Sequence, residues 1–283
     1  MLLKEIKNIF HQELDASYQK EEVNSFFYML IEHYLGLQRF VLAMEPNLIV
    51  AKEDESPLFE ALSKLKLHVP VQYIIGKTEF MDLEFIVNEH VLIPRPETEE
   101  LVRWILGDIE DHHSKLKILD IGTGSGCIPI SLAKHLPNSK VYTLDVSGKA
   151  IAVAKQNARL NKVAIDFIQE SILDIETLQE EFDIIVSNPP YVRELEKAAM
   201  NANVLKYEPG LALFVADNNP LLFYKKITDF AAHNLVKKGK LYFEINQYLG
   251  KETELLLGEH NFSDIELRQD VFGNDRMLKG IKK

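Results

Sequence analysis

Apolar positions follow two rhythms along this chain, and the change between them divides it. In residues 1–71 they recur at helical steps. Phe26, Phe27, Leu30, Ile31, Tyr34 and Leu35 form one stripe, and Leu58, Ala61, Leu62 and Leu65 form another. Such spacing places side chains on one face of an α-helix. Pro46 and Pro57 interrupt the stripes, and Ser56 before Pro57 reads as an N-cap followed by proline in the first helical position. Strand-like alternation is absent, so residues 1–71 are expected to form a small helical bundle. Residues 72–94 change texture: Gly76 precedes Thr78-Glu79-Phe80 and Leu83-Glu84-Phe85-Ile86-Val87, two runs rich in aromatic and β-branched residues. They predict a β-hairpin linker, closed by Pro94 and Pro96.

Over residues 95–283 helices alternate with strands. A helix is predicted over Thr98–Leu106, then strands at Lys117–Ile121, Val141–Val146, Ile165–Gln169 and Phe182–Ser187. Helices at Ile128–Leu136 and Ala150–Leu160 separate them. A helix over Pro220–Leu235, ended by Gly239, leads to a strand at Lys240–Ile245. A further helix over Gly250–Leu257, stopped by Gly258, precedes strands at Ile265–Asp270 and Arg276–Ile281 around a Gly273-Asn274-Asp275 turn. This alternation predicts an α/β fold: a doubly wound, seven-stranded, mostly parallel sheet whose closing hairpin adds an antiparallel edge.

Composition narrows the function classes. The chain has 283 residues, 46% hydrophobic and 27% charged, so it has material for a substantial core. Its net charge of −11 disfavours binding to phosphate backbones, and it holds no long block of Lys and Arg. The single cysteine, Cys127, excludes an intramolecular disulfide and fits a reducing compartment. The N-terminus mixes charge signs and lacks a signal-peptide core, and no apolar run approaches a membrane span. A cytoplasmic location is expected, with neither membrane association nor stable nucleic-acid binding. The nine histidines are scattered with no metal-ligand spacing, so no metal is expected.

Three motifs carry candidate chemistry. Asp120-Ile121-Gly122-Thr123-Gly124-Ser125-Gly126 follows a predicted strand and opens a helix. Glycines there permit positive φ and close backbone approach to a ligand at the carboxyl end of the sheet. The spacing is neither the dinucleotide pattern nor a P-loop, which favours a nucleoside without pyrophosphate. Asp145 ends the next strand, where a carboxylate accepts hydrogen bonds from ribose hydroxyls, a device that a nicotinamide cofactor would share; helix capping there falls more naturally to Ser147. Strand Phe182–Ser187 runs into Asn188-Pro189-Pro190-Tyr191. An Asn-Pro-Pro-aromatic string arises by chance in roughly 0.3% of chains this long, so it calls for a chemical reason. A planar amide is a poor nucleophile because its lone pair is delocalised. The Asn188 side-chain oxygen and the Pro189 carbonyl would each accept one N–H, aligning the NH₂ and stabilising the charge that develops on nitrogen. Fixed proline φ holds that carbonyl in place, and Tyr191 offers a flat face to a planar substrate group.

Together these strings resemble the amino methyltransferases of the Rossmann-like class. Longer segments resemble the bacterial release-factor glutamine methyltransferases, the PrmC (HemK) family: Pro70-Val71-Gln72-Tyr73-Ile74-Ile75-Gly76, Glu79-Phe80, Leu92-Ile93-Pro94-Arg95-Pro96-Glu97-Thr98-Glu99, Glu208-Pro209-Gly210-Leu211-Ala212-Leu213 and Phe272-Gly273-Asn274-Asp275-Arg276. The likeness runs from about Pro70 to the C-terminus; the helical first part matches in character only. It implies methyl transfer from S-adenosyl-L-methionine, leaving S-adenosyl-L-homocysteine, to the glutamine amide nitrogen in the Gly-Gly-Gln motif of class I peptide-chain release factors. It further implies that Gly122, Thr123, Gly124, Ser125 and Gly126 line the methionine part of the cofactor and that Asp145 holds its ribose. Asn188, Pro189, Pro190 and Tyr191 would hold the glutamine, with Asn188 also touching the cofactor. Ile172 stands where the family often has an aromatic residue, so adenine stacking becomes aliphatic packing. Pro94-Arg95-Pro96-Glu97 would lie near the site mouth, and residues 1–71 would help dock the protein substrate. Two other readings remain: a nucleic-acid amino methyltransferase, which needs a basic groove beside Tyr191, and a binding protein that keeps the fold without turnover.

Overall fold

The computed structural model describes residues Met1–Lys283, and its backbone divides into two compact units. The first comprises Met1–Gly76 together with Asn201–Tyr207. Its helices are α1 (Leu3–Leu14), α2 (Lys20–Leu35), α3 (Val41–Met44), α4 (Lys52–Lys66) and α5 (Val71–Ile75). Leu3, Ile6, Phe10 and Leu14 give α1 one fully buried face, met by Phe27, Leu30 and Ile31 of α2 and by Leu58, Leu62 and Leu65 of α4. Phe10 and Phe27 meet edge to face at 5.5 Å. Helix α4 begins at Lys52, earlier than the Ser56-Pro57 signal predicts. Glu53, Asp54 and Glu55 occupy its first turn, where acidic side chains suit the positive end of the helix dipole. Pro57 therefore lies within the helix and forgoes one ladder bond near its start.

The second unit, Lys77–Met200 and Glu208–Lys283, opens with β1 (Lys77–Phe80) and β2 (Leu83–Ile86), an antiparallel hairpin. There follow α6 (Pro96–Gly107), β3 (Lys117–Ile121), α7 (Cys127–His135), β4 (Lys140–Asp145), α8 (Gly148–Leu160), β5 (Asp166–Gln169) and β6 (Phe182–Ser187). Next come β7 (Val192–Arg193), a 3₁₀ turn at Glu194–Ala199, α9 (Ala202–Tyr207, part of the first unit), α10 (Gly210–Leu213) and β8 (Phe214–Val215). The chain closes with α11 (Leu222–Asn234), β9 (Leu235–Glu244), α12 (Gly250–Glu259), β10 (Phe262–Gln269) and β11 (Asp275–Lys282).

Seven strands make one sheet in the order β10-β11-β9-β6-β3-β4-β5. From β9 to β5 neighbours are parallel, and β11 is antiparallel to both β9 and β10. This is the predicted doubly wound sheet. One face packs on α6, α7 and the hairpin through Leu101, Trp104, Ile130, Leu132, Phe80 and Phe85. The other packs on α11 and α12 through Tyr224, Ile227, Phe230, Leu256 and Leu257. The hairpin that reads as a linker is built into this unit: Asn157 on α8 donates from Nδ2 to the Ile86 carbonyl at 2.9 Å and accepts the Ile86 N–H at 2.7 Å. Gly239 does not end a helix. Strand β9 starts directly at Leu235, and its register with β6 jumps between Leu235 and Lys240. A Cβ at Gly239 would lie 2.9 Å from the Val236 carbonyl, so the glycine serves a bulge. No helix is long and apolar enough to cross a membrane.

Candidate active site

The parallel strands deliver their carboxyl ends to one cleft, a cavity of ≈ 280 Å³ that includes Gly122, Asp145, Ile172, Asn188 and Pro189 in its walls. That volume is near the lower end of small-molecule pockets, about 300–1,000 Å³. In the glycine loop, Gly122, Gly124 and Gly126 have φ of 90°, 52° and 83°, the left-handed region. The loop is clasped to the neighbouring strand by the Gly122 N–H on the Leu144 carbonyl at 2.8 Å and the Gly124 N–H on Asp145 Oδ2 at 3.0 Å. Thr123, Gly124 and Ser125 line the cavity, but Gly126 does not. A Cβ on Gly126 would lie 2.8 Å from Ile130 Cδ1 and 3.1 Å from Ala154 Cβ, so its role is close packing of α7 on α8.

Asp145 Oδ1 accepts the Ser147 N–H at 2.8 Å. Each carboxylate oxygen thus holds one backbone donor, and the two together retain about two of their roughly four acceptor directions. Burial pushes the Asp145 carboxyl up, and the Gly124 and Ser147 donors pull it back. Ser147 itself caps α8, accepting the Ala150 N–H at 3.2 Å. Ile172 is buried in the cavity wall and belongs to the core packed on α11. Asp174 lies outside the cavity and is exposed.

Behind the glycine loop, Asp120 is fully buried. Its Oδ2 accepts the Thr143 hydroxyl at 2.6 Å while Oδ1 has no partner. Burial pushes its carboxyl up to about 7, with Thr143 opposing and Asp145 adding to the shift. The Cys127 thiol, also on the cavity wall, is pushed up to about 12 by burial.

Strand β6 ends at Ser187, whose hydroxyl donates to the Ile121 carbonyl at 2.6 Å and ties the strand ends together. Asn188, Pro189 and Pro190 follow in the cavity wall. The Asn188 main-chain carbonyl passes 3.7 Å from where a Gly122 Cβ would stand. Asn188 Nδ2 donates to Thr98 Oγ1 at 3.2 Å, leaving Oδ1 without a protein donor; the Pro189 carbonyl likewise accepts none. Tyr191 is outside the cavity wall: its hydroxyl donates to Glu244 Oε1 at 2.9 Å, and burial chiefly pushes that hydroxyl well up. Asn246 Nδ2 holds the Tyr191 carbonyl at 2.9 Å.

Several contributors lie outside the predicted set: Thr98 on α6, Glu244 at the end of β9, and Glu208. Glu208 takes the Ile93 N–H at 3.2 Å and Arg95 Nη2 at 2.5 Å, joining the Pro94-Arg95 and Glu208-Pro209 segments over the cleft. The arginines around the cleft are paired with acids, Arg95 with Glu208, Arg193 with Glu196 and Arg276 with Asp270.

Comparison with known proteins agrees with this architecture. Residues 6–76 match the family model described as PrmC N-terminal domain, and residues 102–207 match that of the methyltransferase small domain. The chain is 55% identical to a protein named release factor glutamine methyltransferase from Flavobacterium psychrophilum, over 99% of both chains. It is 39% identical to one of the same name from Bacteroides thetaiotaomicron, over 98% of this chain and 99% of that one. Among solved structures, a methyltransferase from Pyrococcus furiosus has the same fold, with a TM-score of 0.53 at 16% identity over 82% of this chain and 99% of that one.

Proposed function

From the premise that this chain belongs to the release factor glutamine methyltransferase family, we propose how its own residues carry that family's reaction. The chain is an S-adenosyl-L-methionine-dependent enzyme that methylates the glutamine side-chain nitrogen of class I release factors in their Gly-Gly-Gln motif. The residues present fit the cofactor. Asp145 has acceptor capacity left for two ribose hydroxyls, and positive-φ glycines open the floor beside it. Ile172 supplies an aliphatic face for adenine. When bound, the cofactor would supply an electrophilic methyl on sulfur and would leave as the thioether, and the glutamine nitrogen that takes the methyl would give up one proton.

The observation that carries the mechanism is the pair of oxygens without protein donors, Asn188 Oδ1 and the Pro189 carbonyl, on one rigid turn beside the glycine loop. Each accepts one N–H of the glutamine amide, fixing its plane and stabilising positive charge as it develops on nitrogen. The acceptors strengthen most in the transition state, so they act on kcat more than on KM. Pro190 stiffens the turn, and Tyr191 anchors it through Glu244. We further propose that residues 1–71 help dock the release factor and that the enzyme works in the cytoplasm.

The test is transfer of labelled methyl to purified release factor, with a Gln-to-Ala version of its Gly-Gly-Gln motif as control. Label is expected on the native motif only; equal labelling of the control or of nucleic acid overturns the reading. Asn188→Ala should reduce single-turnover transfer on the order of 10²-fold with both ligands saturating. Transfer at the native rate would make Asn188 a turn residue only.

A further inference from the structure

The Asn188 amide has an oxygen end and an NH₂ end of nearly the same shape, so packing alone does not decide which end faces the cleft. What decides it here is a buried chain of hydrogen bonds starting at a residue far away in sequence. Glu244, the last residue of β9, is 1% exposed. Its Oε2 accepts the Thr98 hydroxyl at 2.6 Å, and its Oε1 accepts the Tyr191 hydroxyl at 2.9 Å. Thr98 Oγ1 in turn lies 3.2 Å from Asn188 Nδ2.

The direction of each bond follows from counting protons. A carboxylate only accepts. Thr98 has a single hydroxyl hydrogen, and Glu244 takes it. Thr98 Oγ1 therefore presents only lone pairs to Asn188, which must answer with its NH₂. Oδ1 is left facing away from Thr98 as an acceptor. Burial raises the Glu244 carboxyl, with Thr98, Tyr191 and then the Arg276 guanidinium opposing the shift, and the relay runs in this sense while that carboxyl is ionised.

We propose that Glu244 is a positioning residue for methyl transfer, setting through the Thr98 hydroxyl which end of the Asn188 amide meets the substrate. The inference rests on the methyl-transfer reading above. It makes Glu244 more than a buried brace, because the sign of its hydrogen bonds, and not only their presence, reaches the reacting nitrogen.

Glu244→Gln tests that sign while keeping size and shape. Tyr191 has Glu244 as its hydroxyl's partner, so the new carboxamide oxygen accepts from Tyr191 and its NH₂ is turned to Thr98. Thr98 then donates to Asn188 Oδ1, and the amide presents NH₂ to a substrate that also offers N–H. Transfer is expected to fall on the order of 10²-fold in kcat, with KM for cofactor and release factor near native. Thr98→Val removes the relay and leaves Asn188 undirected, a smaller loss; Thr98→Ser keeps the hydroxyl and should stay near native. The decisive measurement is the double variant. If the Gln acts by reversing the relay, adding Thr98→Val to Glu244→Gln removes the reversal and transfer rises toward the Thr98→Val level. Losses that multiply would mean two independent structural defects and overturn the proposal. So would native kcat in Thr98→Val, a measurement that stands even if Glu244→Gln fails to fold. Absence of transfer by the native enzyme would instead overturn the function itself.

Discussion

At the scale of single residues, the readable part of the site is the part written in contiguous strings. Gly122 to Ser125, Asp145 and Asn188 to Pro190 converge on one cleft, as their places at strand ends suggest. The pairing of Thr98 with Glu244 was not readable: they are 146 positions apart, and although Thr98 stands in the Leu92–Glu99 string, nothing in either segment signals the bond between them. Gly126 and Tyr191 sit in the right strings yet face packing and Glu244 instead of the cavity. Asp145→Ala should weaken S-adenosyl-L-methionine by about 1.5–3 kcal/mol, as for hydrogen bonds to a charged group. Calorimetry showing native affinity would remove Asp145 from the ribose site. Cys127, whose thiol is raised to about 12, carries almost no thiolate near neutral pH. Iodoacetamide should modify it far more slowly in the native protein than in urea; equal rates would show the thiol to be open.

At the scale of elements, the sheet was legible because each strand is a short apolar run between helical stripes. What escaped was structure made by irregularity. The bulge at Gly239 resembles a helix stop in sequence, since glycine serves both. The stretch from Val192 to Val215 holds two-residue strands and short helical turns that no periodicity spans. Asn157 gives no signal either, although its Nδ2 bonds both Ile86 and Ser125, tying hairpin and glycine loop to α8. Asn157→Ala should cost about 1–3 kcal/mol, because buried backbone groups lose their partners; urea unfolding within error of native would refute this. The glycine loop itself makes a graded prediction. Gly124→Ala and Gly126→Ala both carry left-handed strain of roughly 1–2 kcal/mol, but only the Gly126 Cβ meets neighbours, at 2.8 Å. Gly126→Ala should therefore lower the melting temperature more, a ranking that differential scanning calorimetry decides.

Across the whole molecule, buried acids make stability depend on pH in an unusual sense. Asp120 and Asp145 stand near the carboxyl ends of the adjacent parallel strands β3 and β4, and burial raises both. For Asp120 the ordinary value is 3.8 and the folded one about 7. Between these values the folded chain binds more protons than the unfolded one, so stability is fully present at the acid end and is lost as pH rises through about 7. Asp108, Glu196, Glu266 and Asp270 are lowered instead, and their contribution is lost only as pH falls below the ordinary carboxylate range. The two sets leave a window above about pH 5 in which the raised acids govern the slope. The ligand-free protein should accordingly resist urea better near pH 5.5 than near pH 8, by roughly 1.4 kcal/mol for each unit of pKa difference spanned. Asp120→Asn keeps an oxygen for the Thr143 hydroxyl and removes the buried charge. It should flatten that slope and gain stability at the alkaline end. A slope unchanged in Asp120→Asn would mean that the carboxyl is ionised in the folded protein across the whole window, its free oxygen reached by water, and that burial does not set its proton affinity.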